Sequence, residues 1–161
     1  MSENHEVNDV APSSIKHLVG QKGVIDQVSV AIDAAFADSR KLDHALLVGP
    51  PGLGKSALAR VIAAEMATDF QEVLGQSIQA TADLNALLLL ARDKSIVHID
   101  ESHQLRPEYQ TSLYLAMDKR QIILPTGNKR APQSIPIADF TLLLSTTDEY
   151  CLLQPIRDRM K

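Results

Sequence analysis

Gly49-Pro50-Pro51-Gly52-Leu53-Gly54-Lys55-Ser56 satisfies the pattern G-x-x-x-x-G-K-[ST], and its flanks supply the context that pattern needs. Before it, Ala45-Leu46-Leu47-Val48 is a short apolar run that reads as a buried strand. After it, residues 56–66 place Leu58, Ile62 and Met66 at helical spacing. Strand, glycine-rich loop and helix N-terminus together make an anion cradle. The glycines let the backbone curl until its N–H groups face a phosphate, and the first helical turn adds partial positive charge. The candidate contacts run from Gly49 through Pro50, Pro51, Gly52, Leu53 and Gly54 to Lys55, Ser56 and Ala57. In such a loop the lysine reaches the β- and γ-phosphates of ATP or ADP, and the Ser56 hydroxyl ligates Mg²⁺.

A second chemical element lies downstream. Ser95-Ile96-Val97-His98-Ile99-Asp100-Glu101 reads as an apolar strand ending in two carboxylates. Behind a phosphate-binding loop, the first acid at such a strand end holds Mg²⁺, directly or through water, and the second polarises water for attack on the γ-phosphate. That assigns Asp100 to the metal and Glu101 to the water. His98, in mid-strand, is expected to be a hydrogen-bonded core residue, and His103 in the loop beyond is given no chemistry. A third strand, Phe140-Thr141-Leu142-Leu143-Leu144, delivers Ser145-Thr146-Thr147 to its C-terminal end, the side where ligands bind in open α/β sheets. Either threonine there could hydrogen-bond the attacking water or the γ-phosphate.

Bulk properties narrow the class. The 161 residues suffice for one domain with its own core. Residues 1–14 read as a flexible polar tail, with Ser13 or Ser14 ending it, and 15–161 as the folded domain. No apolar run approaches a membrane span, and the acidic N-terminus does not resemble a signal peptide. The single cysteine, Cys151, rules out an internal disulfide and fits the reducing cytoplasm. A net charge of −4 argues against this domain alone gripping a phosphate backbone.

The remaining segments alternate in the same α/β rhythm. Residues 22–40 carry Val24, Val28, Ala31, Ile32 and Ala35 at helical spacing. Phe70–Leu74 is a weak strand ending at Gly75. Thr81-Ala82-Asp83 can cap a helix running through Leu84, Leu87, Leu88 and Ala91, with the 87–90 leucines as core. Pro107 opens a helix whose apolar residues are Leu113, Leu115, Ala116 and Met117. Residues 121–124 and 133–137 flank Pro125-Thr126-Gly127-Asn128-Lys129-Arg130, the pattern of a protruding hairpin with a basic tip, either decoration or a partner contact. Arg157 and Arg159 close the chain on a short exposed segment. In an oligomeric ATPase such an arginine can stabilise transition-state charge at a neighbour's γ-phosphate.

Together these stretches resemble the large ATPase domain of AAA+ proteins, and more narrowly the RuvB family of Holliday junction branch-migration motors. The resemblance rests on LVGQ (18–21), LDHALLVGPPGLGKS (42–56), the IDE at 99–101 with His103 and Leu105, LYLAMD (113–118), FTLLLSTT (140–147) and PIRDR (155–159). It implies a three-layer α/β/α fold with a mostly parallel sheet and Mg²⁺-dependent ATP hydrolysis in a hexameric ring that acts in DNA recombination and repair. By the same resemblance Val19 and Gly20 pack the adenine, Thr146 or Thr147 is sensor 1, and Arg159 is an arginine finger for the adjacent subunit. The hairpin around 122–137 falls where the family docks its junction-recognition partner, RuvA.

The chain departs from the family's pattern at several points. Ala11-Pro12 stands for Arg-Pro, Leu18 and His98 stand for aromatics, and Asp148 for an arginine after the sensor threonines. The family's sheet order is 5-1-4-3-2, with the fifth strand just after the finger. The chain is therefore expected to lack that strand, the lid and the winged-helix domain that touches DNA, either as a fragment or as a reduced relative, and to leave the strand before the loop as an edge. Two other functions remain open: a nucleotide-binding scaffold without efficient turnover, and a clamp- or helicase-loader type of ATPase.

Overall fold

A computed structural model describes residues 12–127 and 131–161. In chain order its elements are α1 (Lys22–Ala37), β1 (Ala45–Val48), α2 (Lys55–Glu65), β2 (Phe70–Leu74), α3 (Thr81–Leu90), β3 (Ile96–Asp100), α4 (Pro107–Lys119), the hairpin strands β4 (Gln121–Leu124) and β5 (Gln133–Pro136), β6 (Thr141–Thr146) and α5 (Gln154–Arg157). Four strands form a parallel sheet in the order β1-β6-β3-β2, and β4 pairs with β5 alone. With the hairpin set aside, this is the 1-4-3-2 part of the expected sheet.

The strands read as near-continuous apolar runs because both sheet faces are covered. Alternate residues serve opposite cores. Ile96 and Leu143 face α1 and α2, meeting Ile32, Ala35, Ala59, Ile62 and Ala63. Val97, Ile99, Leu142 and Leu144 face the other way, against Leu84 and Leu88 of α3, Leu113 and Ala116 of α4, and Ile156 of α5. Every residue of β6 is buried, as befits a central strand.

Several expectations shift. Helix α1 ends at Ala37 rather than residue 40, because the chain turns through Ser39 at φ 53°. Of its expected face, only Ile32 and Ala35 are buried, while Val24 and Ala31 are exposed. Helix α3 is capped differently from the expectation: Ala80 is the capping residue, and the Asp83 carboxylate accepts the N–H groups of Gln79 (3.0 Å) and Ala80 (2.9 Å). Leu89 and Leu90, expected in the core, are exposed, as is Leu115 of α4, because each helix buries only the stripe that meets the sheet. Residues 1–11 of the expected tail, and Asn128, Lys129 and Arg130 of the expected basic tip, lie outside the described residues. Ser14 donates to Glu65 Oε1 at 2.7 Å, and the same oxygen accepts the Ile15 N–H at 2.9 Å, which fastens the segment before α1 to the end of α2.

The outer edge of β1 is not wholly bare. Lys161 N donates to His44 O (2.9 Å) and Leu46 N donates to Lys161 O (3.1 Å). This is the bond pattern of a parallel bridge, on the side of β1 where a fifth strand is expected, while β1 stays the outer strand of the sheet as expected.

Candidate nucleotide site

The C-terminal ends of β1, β3 and β6 lie side by side, so the loops that follow them open onto one place. The loop between β1 and α2 turns through Gly52 (φ 81°) and Gly54 (φ 76°), conformations that a side chain would strain. Gly49 N–H donates to Thr146 O at 3.2 Å, tying the start of this loop to the end of β6. A cleft of about 310 Å³ results, lined by Pro51, Gly52, Gly54, Lys55, Ser56, Ala57, Asp100, Glu101, His103, Ser145, Thr146 and Thr147. That volume lies at the lower end of the range for small-molecule sites.

Within the cleft, Lys55 Nζ donates to Gly49 O (2.6 Å) and Pro50 O (2.8 Å), so the ammonium rests on loop carbonyls. Ser56 Oγ donates to Asp100 Oδ2, and Asp100 Oδ1 accepts the Glu101 N–H at 2.9 Å. A hydroxyl and a carboxylate in contact beside a phosphate cradle are the hard oxygen donors that Mg²⁺ takes, with phosphate and water completing its shell. Among the described residues no cluster of three His, Cys, Asp or Glu side chains could hold a metal by itself. Glu101 has left the strand, with φ 50°, and its carboxylate is exposed at the cleft.

The two threonines differ. Thr146 is buried, and its hydroxyl oxygen accepts the Asp148 N–H (3.1 Å) and lies 3.3 Å from His103 Nδ1. Thr147 is exposed on the cleft wall. His103, to which sequence reasoning gave no chemistry, thus belongs to the site. Its signal was position alone, two residues beyond Glu101 in the 3-10 turn Ser102–Gln104. Asp148, the acid where the family carries an arginine, accepts from Tyr150 N (2.9 Å) and Cys151 Sγ (3.3 Å), and is spent on its own turn.

Of the expected site residues, Gly49, Pro50 and Leu53 of the loop do not line the cleft, and Val19, Gly20 and Arg159 lie away from it. Val19 and Gly20 are exposed and do not line it. Arg159 is held by its own chain: Nε donates to Asp118 Oδ1 at 2.5 Å, a terminal nitrogen donates to Asp118 Oδ2, and the guanidinium lies 5.2 Å from the Tyr114 ring centroid. The hydrogen bonds and charge of Arg159 keep the Asp118 carboxyl below its usual range.

A glycine loop between β1 and α2, a hydroxyl touching an acid two strands away, and the 1-4-3-2 order define a P-loop domain of the AAA+ type. The family model described as "Holliday junction DNA helicase RuvB P-loop domain" matches residues 10–161, and the chain belongs to this family. Over 150 residues it is 41% identical to the Holliday junction branch migration complex subunit RuvB of Koribacter versatilis, covering 92% of this chain and 42% of that protein. The Gluconobacter oxydans subunit is 39% identical, with 92% and 43% covered. A point mutant of Thermotoga maritima RuvB superposes with a TM-score of 0.84 at 34% identity, covering 94% of this chain and 47% of that one. The structure described as the Thermotoga maritima RuvB Holliday junction branch migration motor gives 0.82 at 34%, with 93% and 46% covered. The chain thus spans less than half the length of these relatives.

Proposed function

We propose that this chain binds Mg²⁺·ATP at the cleft and hydrolyses it as the ATPase part of a Holliday junction branch-migration motor in the cytoplasm. The contact between Ser56 and Asp100 carries the reading, since it joins the first helical turn after the loop to the acid of β3 where a γ-phosphate would lie. ATP phosphates would displace the Gly49 and Pro50 carbonyls as partners of Lys55, while the loop N–H groups and the start of α2 stabilise the bound anion. Ser56 and Asp100 would hold Mg²⁺, which when bound supplies positive charge to the β- and γ-phosphate oxygens. Glu101 orients and polarises the attacking water. Thr147 suits direct contact with that water or the γ-phosphate, and Thr146 braces the turn beneath it.

No arginine lines the cleft among the described residues, which supports Arg159 acting on a neighbouring subunit and slow turnover by an isolated chain. The ring, the RuvA-like partner at hairpin 122–137 and the DNA junction complete the proposal. Val19, wholly exposed, and Gly20 offer an uncovered edge for adenine. A scaffold without turnover is the competing reading. The changed adenine segment, Asp148 and the expected lack of a lid favour it, and the second of these weakens because the Asp148 carboxylate is engaged within its own turn.

Lys55→Ala tests the site. Titration with a fluorescent ATP analogue and Mg²⁺ should give an affinity lower by roughly 100-fold, the loss of one charge-assisted phosphate contact. Unchanged affinity would remove the loop from the account.

A further inference from the structure

Polar side chains are costly inside a parallel sheet covered on both faces, and each needs its own partners. Here buried His98 and Ser145 form a row across the sheet with Glu72, exposed on the edge strand β2, on the face that carries α2. Glu72 of β2 and His98 of β3 stand opposite each other in register, and Ser145 lies near the end of the next strand, β6. His98 is wholly buried, with Nδ1 2.9 Å from Glu72 Oε2 and Nε2 2.7 Å from Ser145 Oγ. A carboxylate only accepts, so Nδ1 carries a ring proton directed at Glu72, and Nε2 is hydrogen-bonded to the Ser145 hydroxyl. The other Glu72 oxygen accepts from Arg60 of α2 at 2.5 Å. Phe70 stacks on the His98 ring, with centroids 6.0 Å apart and planes at 23°.

One end of this row, Ser145, lines the cleft, and the other reaches it only through α2. Arg60 lies on the helix that begins at Lys55. Ser145 precedes Thr146, whose carbonyl holds Gly49 at the start of the phosphate loop, and Ser145 O itself accepts from Ser102 Oγ (3.0 Å) just beyond Glu101. The row therefore joins α2, β3 and the end of β6, the three elements that must keep a common geometry around a γ-phosphate. The geometry points to His98 as a positioning residue for hydrolysis: through Glu72 and Ser145 it fixes Glu101 and the two threonines against the phosphate loop. This rests on the ATPase reading above. His98, Glu72 and Arg60 do not line the cleft, and the Ser145 hydroxyl is engaged by His98, so loss of His98 should affect turnover and spare binding.

The test compares His98→Phe, Ser145→Ala and the double variant with wild-type chain, measuring Mg²⁺·ATP affinity, steady-state turnover and thermal unfolding. His98→Phe should keep nucleotide affinity within about threefold and lower kcat about tenfold, the signature of misplaced catalytic groups. Ser145→Ala, a smaller change that retains the strand, should give a similar kcat loss, and the double variant should be no slower than His98→Phe, because both remove one connection. Wild-type kcat in the two single variants, or kcat and affinity falling in step with the folded fraction, would overturn the positioning role. Glu101→Gln, run in parallel, separates the two levels. Turnover that ignores Glu101 defeats the ATPase reading and the positioning role with it, whereas Glu101-dependent turnover untouched by His98→Phe defeats the positioning role alone.

Discussion

Gly75 sits where β2 ends, under the loop that carries Glu101, and its missing side chain leaves the room that loop occupies. A Cβ built at Gly75 would lie 2.6 Å from Glu101 O, 3.3 Å from Glu101 C and 3.4 Å from Leu105 N. Gly75→Ala therefore forces the Glu101 backbone back by roughly 0.4–0.8 Å, because carbon-to-oxygen contacts below 3.0 Å are essentially never seen. The obstacle is backbone, not the end of a flexible side chain, and Glu101 already holds a left-handed φ of 50° with little freedom to adjust. Overpacking of this kind costs about 1–3 kcal/mol of stability, and a shift approaching 1 Å in a catalytic group lowers kcat by roughly 10- to 100-fold. The phosphate loop is untouched, so nucleotide affinity should stay within about threefold. Thermal unfolding with a steady-state ATPase assay reads both quantities. Gly23→Ala, where a Cβ meets nothing within 4 Å, serves as the control. Wild-type turnover and an unchanged Tm in Gly75→Ala would refute the steric reasoning.

Two further outcomes are expected. Burial, with the charge of Lys41 next, pushes His44 down to about 4, and its Nδ1 accepts the Leu142 N–H at 2.9 Å, which requires that nitrogen bare. Since the folded state binds this proton less readily than the unfolded chain, stability is complete above pH 6.5 and falls between pH 6.5 and 4 by on the order of 2–3 kcal/mol. His44→Gln should flatten that part of the denaturation-versus-pH profile relative to wild type, and parallel profiles would contradict it. Subunits carrying Arg159→Ala and subunits carrying Glu101→Gln should each be nearly inactive as assembled protein. Mixed, they should regain measurable ATPase activity, because some interfaces then pair an intact Glu101 with a neighbour's intact Arg159. No recovery on mixing would place Arg159 outside its neighbour's site.

What could be read in advance followed from how local each signal is. The phosphate loop, the apolar run of β3 and the strand that delivers Thr146 and Thr147 are contiguous stretches whose meaning needs no knowledge of their neighbours. The sheet order was accessible only through the family resemblance, since four parallel strands of similar apolar content carry no label for their sequence of pairing. Apart from Ser56 and Asp100, both assigned in advance to the metal, side-chain partnerships between distant segments were not legible. The bonds of His98 to Glu72 and Ser145, of His103 to Thr146, and of Arg159 to Asp118 span strands and helices brought together only by folding. The exposure of Leu89, Leu90 and Leu115 was misread for a related reason: an apolar helix with little periodicity does not say how wide a stripe the sheet will cover. At Gly75 the sequence suggested only a strand end, and the close approach of Glu101 explains why glycine stands there.

The proposed hydrolysis requires Glu101 to polarise the water that attacks bound ATP. The direct measurement is turnover by wild-type and Glu101→Gln protein at saturating Mg²⁺·ATP, with equal nucleotide occupancy checked by binding. A carboxylate-to-amide change preserves shape and removes the base, so kcat should fall by roughly 100-fold or more while ATP affinity stays within a few-fold. Equal turnover in the two proteins would contradict the assignment.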